Sequence, residues 1–325
     1  MERAMKTVLK LALVGMAAAG SLATAAGYPE KPIRLVVPFG AGTSTDTTAR
    51  VIGDALSRQL GQSVVVENKP GAGGAIGTDY VAKSKADGYT LSFGSVGTFA
   101  INKGLYSRLP YNPSKDFTYL AMPGYTPTLL VVSNGAPYNS LKDLLDDARK
   151  NPDKLAFASA GNGTSGHLAG ELLKKVAGVS MLHVPYKEGS QAMTDTIGGQ
   201  VAFMFYHPVA VVPHIKAGAL KALAASSSKR ATLAPNVPTI AESGYKDFDL
   251  TAWYMLAAPA GMPADTTKKL LAAAEKTMRD PAVTEALKKQ GVEGSPLESA
   301  KIPAFVEHEI KKWADVIDSA HARID

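Results

Sequence analysis

Apolar and polar positions follow two rhythms along this chain. Short apolar runs, Ile33 to Val37, Ser63 to Val66 and Tyr89 to Phe93, read as strands. Between them apolar residues return every three or four positions, as at Ala49, Ile52, Ala55, Leu56 and Leu60, which predicts a helix from Thr47 to Leu60 ended by Gly61. A second helix is expected from Ala75 to Lys83. Alternation of this kind argues for a parallel sheet with helices on its faces, and ligands on such sheets bind beyond the carboxyl ends of the strands. Tyr125 to Val132 predicts a crossing strand, and a new alternation then begins. Its helices are Leu141 to Lys150, one from Ser165 through about Val176, and Ser190 to Ile197; its strands are Leu155 to Ala158, His183 to Tyr186, Val201 to Phe205 and Leu220 to Ala225. Leu250 to Ala257 looks like the return crossing, followed by helices at 263–278, 280–290 and 302–317. No repeat of solenoid period is present. The pattern divides the chain into a discontinuous first domain, 27–126 with 249–325, and an inserted second domain, 127–248. Two crossing strands between them make a hinge.

Two stretches share one design. IRLVVPFGAGTSTDTTAR, from Ile33 to Arg50, runs from a strand through a loop of small and hydroxyl residues into a helix. Leu155 to Val176 does the same through Ser159-Ala-Gly-Asn-Gly-Thr-Ser165. A helix start carries unpaired N–H groups and a positive dipole end, so each is an anion site in outline. Facing each other across a cleft, the two would grip a small carboxylate. The candidate contacts are Phe39, Ala41, Gly42, Thr43, Ser44, Thr45 and Asp46 in the first loop, and Ala160, Gly161, Asn162, Gly163, Thr164 and Ser165 in the second. Ser95 belongs to a further small-residue loop, Gly94 to Gly97. Thr43 and Asp46 also fit a capping box, so Asp46 is read as a helix-start residue ahead of a ligand contact. Thr164 and Ser165 carry the same double reading. Phe39 is either an apolar wall to the ligand or a core residue.

Composition narrows the class. The chain has 325 residues, 46% hydrophobic and 20% charged, which suits about two globular domains. Met1 to Lys10 is basic, Leu11 to Gly20 is apolar or small, and Ala23-Thr-Ala-Ala26 offers small residues for cleavage, the layout of a secretory signal peptide over 1–26. The apolar run is short for a membrane span, and no later segment is long enough. With no cysteine there is no lipid anchor and no thiol chemistry. The formal charge is +6, and removing Arg3, Lys6 and Lys10 with Glu2 leaves +4, scattered, which argues against nucleic acid. These features predict a secreted protein.

Catalytic and cofactor motifs fail on spacing. Gly71-Ala-Gly-Gly-Ala-Ile-Gly77 follows a strand and opens a helix, but its third glycine falls in the wrong place for a dinucleotide fingerprint. No G-x-S-x-G elbow exists, and Ser165 and His167, two apart on a helix, point in different directions. Glu307-His308-Glu309 has no second histidine at the spacing zinc requires, and the histidines are scattered. No catalytic residue, metal or cofactor is expected.

Taken in order, several pieces resemble the substrate receptors of tripartite tricarboxylate transporters, the Bug-type periplasmic solute-binding proteins. They include Tyr28-Pro-Glu-Lys-Pro-Ile-Arg34, Val37-Pro-Phe39, Asp46-Thr-Thr-Ala-Arg50, Val66-Glu-Asn68, Pro70-Gly-Ala-Gly-Gly74 and Asp87-Gly-Tyr-Thr-Leu91. Ser159-Ala-Gly-Asn-Gly163, His183-Val-Pro-Tyr-Lys187, Gly199-Gln200 and Trp253 continue the series through nearly all of the mature chain. The resemblance implies an α/β, two-lobed periplasmic-binding-protein fold of venus-flytrap, type II-like form with two crossing hinge strands. It also implies a small carboxylated ligand held between the loops at Phe39 to Thr45 and Ala160 to Ser165. The chain departs from the family at Thr43, where a second glycine is usual, and at Glu188, where glycine usually follows Tyr-Lys. It departs again at Tyr206-His207, where an acid usually follows the phenylalanine at 205. Loss of that acid removes a partner for an α-ammonium, so a di-acid or aromatic acid is favoured over an amino acid, with Tyr206 and His207 as candidate contacts.

The sequence therefore predicts a monomeric, non-enzymatic receptor delivering a carboxylate to an inner-membrane carrier. A sensor presenting its bound state to a signalling partner is the alternative, and a periplasmic hydrolase a weaker one.

Overall fold

Two sheets divide the secondary structure of the computed structural model, which describes residues 27–246, 248–294, 297–319 and 322–324. The signal-peptide segment lies outside the described residues. Both sheets belong to the unit Lys31–Asp325. The first is built from β1 (Ile33–Val37), β2 (Val64–Asn68), β3 (Thr90–Ser95), β4 (Phe117–Ala121), β5 (Tyr125–Thr126) and β11 (Ala252–Pro259). Its order is β2-β1-β3-β11-β4, with β5 on β11. The second contains β6 (Leu129–Ser133), β7 (Ala156–Ser159), β8 (Leu182–Pro185), β9 (Phe203–Tyr206) and β10 (Leu220–Ala225), in the order β10-β6-β9-β7-β8. In each, three strands run parallel, and strands from the crossings pair antiparallel with them. The result is a two-lobed α/β fold.

The parallel strands read as apolar runs because helices cover both faces of their sheets. Helices α1 (Ser44–Leu60), α2 (Ala75–Ala82) and α3 (Asn102–Leu105) accompany the first sheet, and α4 (Leu141–Lys150), α5 (Ser165–Ala177), α6 (Gly189–Ile197) and α7 (Pro208–Lys216) the second. After β11 the chain adds α8 (Ala264–Arg279), α9 (Pro281–Lys289) and α10 (Ile302–Ser319). Trp253 on β11 and Trp313 on α10 both donate their indole N–H to Glu309 Oε2, at 2.7 and 3.0 Å, which fixes the last helix to the first lobe.

Three differences from the sequence expectation have local causes. The crossing strand expected over 125–132 is two strands, because Pro127 has no N–H to give the ladder. Helix α7 begins with Pro208 and contains Pro213, which hides its apolar period. Gly94 to Gly97 is less a loop than the end of β3 and the start of a π-helical turn, Gly97–Ile101.

The chain passes between the lobes at 126–129 and again after Ala225. Fully buried Ser226 joins the two passages. Its Oγ donates to Leu250 O at 2.6 Å and accepts from Thr128 N at 3.0 Å and Thr128 Oγ1 at 2.9 Å.

Candidate functional site

The first loop is held by its own polar side chains. Thr43 caps α1: its Oγ1 accepts from Asp46 N at 3.3 Å and donates to Gly40 O at 2.8 Å. The helix therefore begins at Ser44, three residues before the periodicity alone suggested. Asp46 does not close the expected box on Thr43. Its carboxylate takes Gly42 N–H at 2.9 Å, Arg50 Nε and Nη2 at 3.1 and 2.9 Å, and Asn68 Nδ2 at 3.0 Å. These four donors use its acceptor capacity. Burial pushes the Asp46 carboxyl up, but the bonds from Arg50, Gly42 and Asn68 outweigh that and hold it below the usual carboxylate range.

The second loop rests on two histidines. Thr164 caps α5, accepting from His167 N at 3.4 Å and donating to Gly161 O at 2.8 Å. Gly163 N–H donates to His167 Nδ1 at 3.2 Å, and Ser159 Oγ lies 2.7 Å from His183 Nε2. The two imidazoles stack with centroids 4.1 Å apart. Burial lowers His167 to about 4 and His183 to about 3. Both are neutral near pH 7, as a ring that accepts from Gly163 must be.

The carboxyl ends of β1, β3, β7 and β9 meet around an inner cavity of about 40 Å³, lined by Thr43, Ser44, Thr45, Ser95, Thr164, Ser165, Gly166, Tyr206 and His207, with Phe39, Ala160 and Phe205. One water needs about 10–15 Å³ on this scale, so a carboxylate or a few waters fit there. Ser44 and Thr45 open α1, and Ser165 and Gly166 open α5; among the described residues none of their four N–H groups has a hydrogen-bond partner. The cavity has no charged side chain. Burial lowers His207 to about 4, partly countered by its bond to Pro127 O at 3.2 Å. A carbonyl only accepts, so the proton sits on Nδ1 and Nε2 offers a lone pair, 3.5 Å from Ser165 Oγ. Burial, with the charge of Glu188, pushes Tyr206 up to about 12, so it is a neutral phenol.

An outer cavity of about 200 Å³ adjoins the inner one through Phe39, Thr43 and Ala160. Its other walls are Pro38 and Gly40, the loop Pro70 to Gly74, Tyr106, Gly161 and Asn162, and Pro185 to Gly189.

Two lobes, each offering a capped helix start to one cavity, invite comparison with known receptors. A family profile described as "Tripartite tricarboxylate transporter family receptor" matches residues 48–321. The chain belongs to this family. It is 38% identical to Protein BugT of Bordetella pertussis over 315 residues, covering 97% of this chain and 96% of that one. Among solved structures it is similar to the periplasmic binding protein BugD, with 36% identity, a TM-score of 0.85, and coverage of 91% of this chain and 99% of that one. It is also similar to the R. palustris protein Rpa4515, solved with adipate, with 34% identity, a TM-score of 0.86, and coverage of 90% and 98%. The family's members are periplasmic binding proteins. Among the described residues of this receptor no helix is long and apolar enough to cross a membrane.

Of the residues singled out from sequence, the receptor brings Phe39, Thr43, Ser44, Thr45, Ser95, Ala160, Thr164, Ser165, Tyr206 and His207 to the inner cavity and Gly161 and Asn162 to the outer one. It places Ala41, Gly42, Asp46 and Gly163 outside both. Ala41 and Gly42 are exposed, and Asp46 is turned into the scaffold. Tyr106 and Pro185 to Gly189 were missed as wall residues; the only sequence signals there were the motif around Tyr186-Lys187 and the acid at 188.

The lobes meet backbone to backbone beside the outer cavity. A Cβ on Gly73, where φ is +58°, would fall 2.1 Å from Asn162 O, and one on Gly97 2.8 Å from Gly163 O. Asn102 Nδ2 holds the first of these loops by donating to Gly73 O at 3.2 Å. The cleft is closed in this structure.

Proposed function

We propose that this receptor captures a small carboxylate in the periplasm and delivers it to an inner-membrane carrier. The carboxylate occupies the inner cavity, held by the leading N–H groups of α1 and α5 and the hydroxyls of Ser44, Thr45 and Ser165, with Thr43, whose proton goes to Gly40 O, as part of the wall. The observation that carries this reading is the convergence of two unpartnered helix starts on one cavity that has no charged side chain. A hydrogen bond to a charged group is worth about 1.5–3 kcal/mol, so four reach roughly 6–12 kcal/mol before the costs of association. A micromolar dissociation constant needs about 8 kcal/mol.

Closure follows from the same division. The lobes exchange near 127 and 249, at the Thr128–Ser226–Leu250 junction, and move as two bodies. The carrier reads the closed form. An α-amino acid is disfavoured, because no acid faces the inner cavity to pair with an ammonium beside the bound carboxylate. Rpa4515, solved with adipate, is a relative whose ligand is an acid without an amino group.

The test is thermal melting of the mature protein against mono-, di- and tricarboxylates, aromatic acids and amino acids. A saturable rise with carboxylates lacking an α-amino group is expected, since a ligand of the folded state alone must stabilise it. Absence of any shift, with mass spectrometry of the denatured protein showing no co-purified acid, refutes the reading.

A further inference from the structure

Glu188 is the feature of the cleft that the carboxylate reading leaves unused. It sits between β8 and α6, at the wall of the outer cavity, and is half-buried. Its carboxylate crosses to the first lobe: a Cβ on Gly40 would fall 2.0 Å from Glu188 Oε2. Gly40 is therefore in contact with the acid, and its lack of a side chain makes room for it. Among the described residues the Glu188 carboxylate has no hydrogen-bond or ion-pair partner. The neighbouring wall residue Tyr186 cannot supply one, because its hydroxyl is already given to Asp195 Oδ2 at 2.6 Å. The next residue, Gly189, packs on the Tyr206 hydroxyl: a Cβ there would fall 2.1 Å from it. The acid thus sits where the outer cavity meets the wall of the inner one.

The outer cavity has one other charged wall residue, Lys187. Lys187 is exposed and makes no ion pair among the described residues. Water screens an exposed ammonium, whereas a half-buried carboxylate against backbone keeps more of its field. The far end of a ligand anchored in the inner cavity therefore meets an acceptor that lacks a donor.

Resting on the carboxylate reading above, we infer that Glu188 is a specificity residue and that the receptor takes a monocarboxylate bearing a hydrogen-bond donor, a hydroxyl or an ammonium, at its far end. A second carboxylate at that end faces like-charge repulsion, so of the acids expected from sequence the di-acid is disfavoured. An ω-amino group does not conflict with the exclusion of α-amino acids, because it lies in the outer cavity and not beside the bound carboxylate.

Isothermal titration of hexanoate, 6-hydroxyhexanoate, 6-aminohexanoate and adipate into the wild type, Glu188→Gln and Lys187→Gln tests this. The wild type is expected to bind at least one of the two donor-bearing acids about tenfold or more tighter than adipate. Glu188→Gln should bring the two classes within about threefold, by tightening adipate and weakening the donors, and should leave hexanoate unchanged. Lys187→Gln should keep the wild-type order. Adipate binding tightest to the wild type overturns the inference, as does a ratio that Glu188→Gln leaves unchanged or that Lys187→Gln abolishes. If none of the four acids, plain hexanoate included, binds any of the three proteins, the carboxylate reading itself fails and this one with it. Melting of each variant confirms folding, which the Glu188 carboxylate supports through no bond among the described residues, and Glu188→Gln keeps the backbone carbonyl that accepts from Ala192 N.

Discussion

Lowering the pH from 8 to 5 should drain this receptor's stability while leaving its cleft chemistry intact. The cause is three imidazoles, buried His167 and His207 and half-buried His183, whose folded-state values are depressed by desolvation to about 4, 4 and 3. In the unfolded chain each titrates near 6.5. Below that pH the unfolded state binds protons that the native state refuses, so stability falls as pH falls, and each contribution stops growing once the folded value is passed. At pH 5 the loss works out at about 2 kcal/mol per histidine, or roughly 6 kcal/mol together. That is comparable with the whole stability of an ordinary protein, about 5–15 kcal/mol. Carboxylates held low, such as Asp46, add their loss only below about pH 4, in a separate window. Urea unfolding followed by the fluorescence of buried Trp253 and Trp313 measures the effect. With a slope of about 3 kcal/mol per molar, the midpoint should drop by about 2 M between pH 8 and pH 5. Carboxylate affinity in the molecules that remain folded should hold to about pH 5, because His167 Nδ1 still accepts from Gly163 N–H, and should fail near pH 4 as that ring protonates. A stability that stays level between pH 7 and pH 5, or imidazole resonances of these three rings that titrate near 6.5, would refute the reasoning.

Other perturbations probe the cleft and its hinge. Gly73→Ala puts a methyl 2.1 Å from Asn162 O across the cleft, so it should block closure, enlarge the radius of gyration in X-ray scattering and weaken ligand about tenfold or more; unchanged affinity would mean that binding needs no closure. Thr43→Trp fills the junction of both cavities and removes the α1 cap, so affinity should collapse at a stability cost of only about 1 kcal/mol; binding at the wild-type level would place Thr43 outside the ligand's path. Ser226→Ala strands the buried Thr128 N–H and Leu250 O, and should cost about 2–4 kcal/mol in urea unfolding; a loss under 1 kcal/mol would show the junction to be hydrated.

Much of this arrangement is local, and what is local was legible. The β1–loop–α1 stretch announces itself through an apolar run, a proline, hydroxyl residues and a helical stripe, and the structure follows it, with Thr43 as cap. The β7–loop–α5 stretch is the same case, ended by Gly178 at φ 62°. What escaped depends on partners far along the chain. Asp46 has a helix-start signature, but the donors that occupy it include Asn68, 22 residues on. The meeting of Gly73 with Asn162 and of Gly40 with Glu188 is set by lobe packing, which no window of sequence contains. Helix α7 escaped for a different reason: two prolines in nine residues suppress the propensity signal, and burial of Val211 against the second sheet supplies the stability instead.

The absence of charge from the inner cavity suits the proposed capture and release of a carboxylate. A buried arginine would hold a carboxylate tightly, yet opening the cleft would leave that charge to be rehydrated and would give the ligand a fixed counter-ion to escape from. Helix starts act differently, because their N–H groups belong to two bodies. Ser44 and Thr45 open a helix of the first sheet's lobe, and Ser165 and Gly166 a helix of the second's. Separating the lobes therefore divides the set of donors, and each half alone offers a carboxylate little more than water does. The glycine contacts at 73 and 97 serve the same end: backbone against backbone closes the cleft without interlocking side chains, so few contacts must be broken when it opens. His207 ties this cavity to the hinge, since the ring that faces Ser165 donates its Nδ1 proton to Pro127 O, where the chain first crosses between lobes. Affinity, closure and release thus draw on one set of backbone groups, and specificity is left to the few side chains that differ, Tyr206 and Glu188 among them.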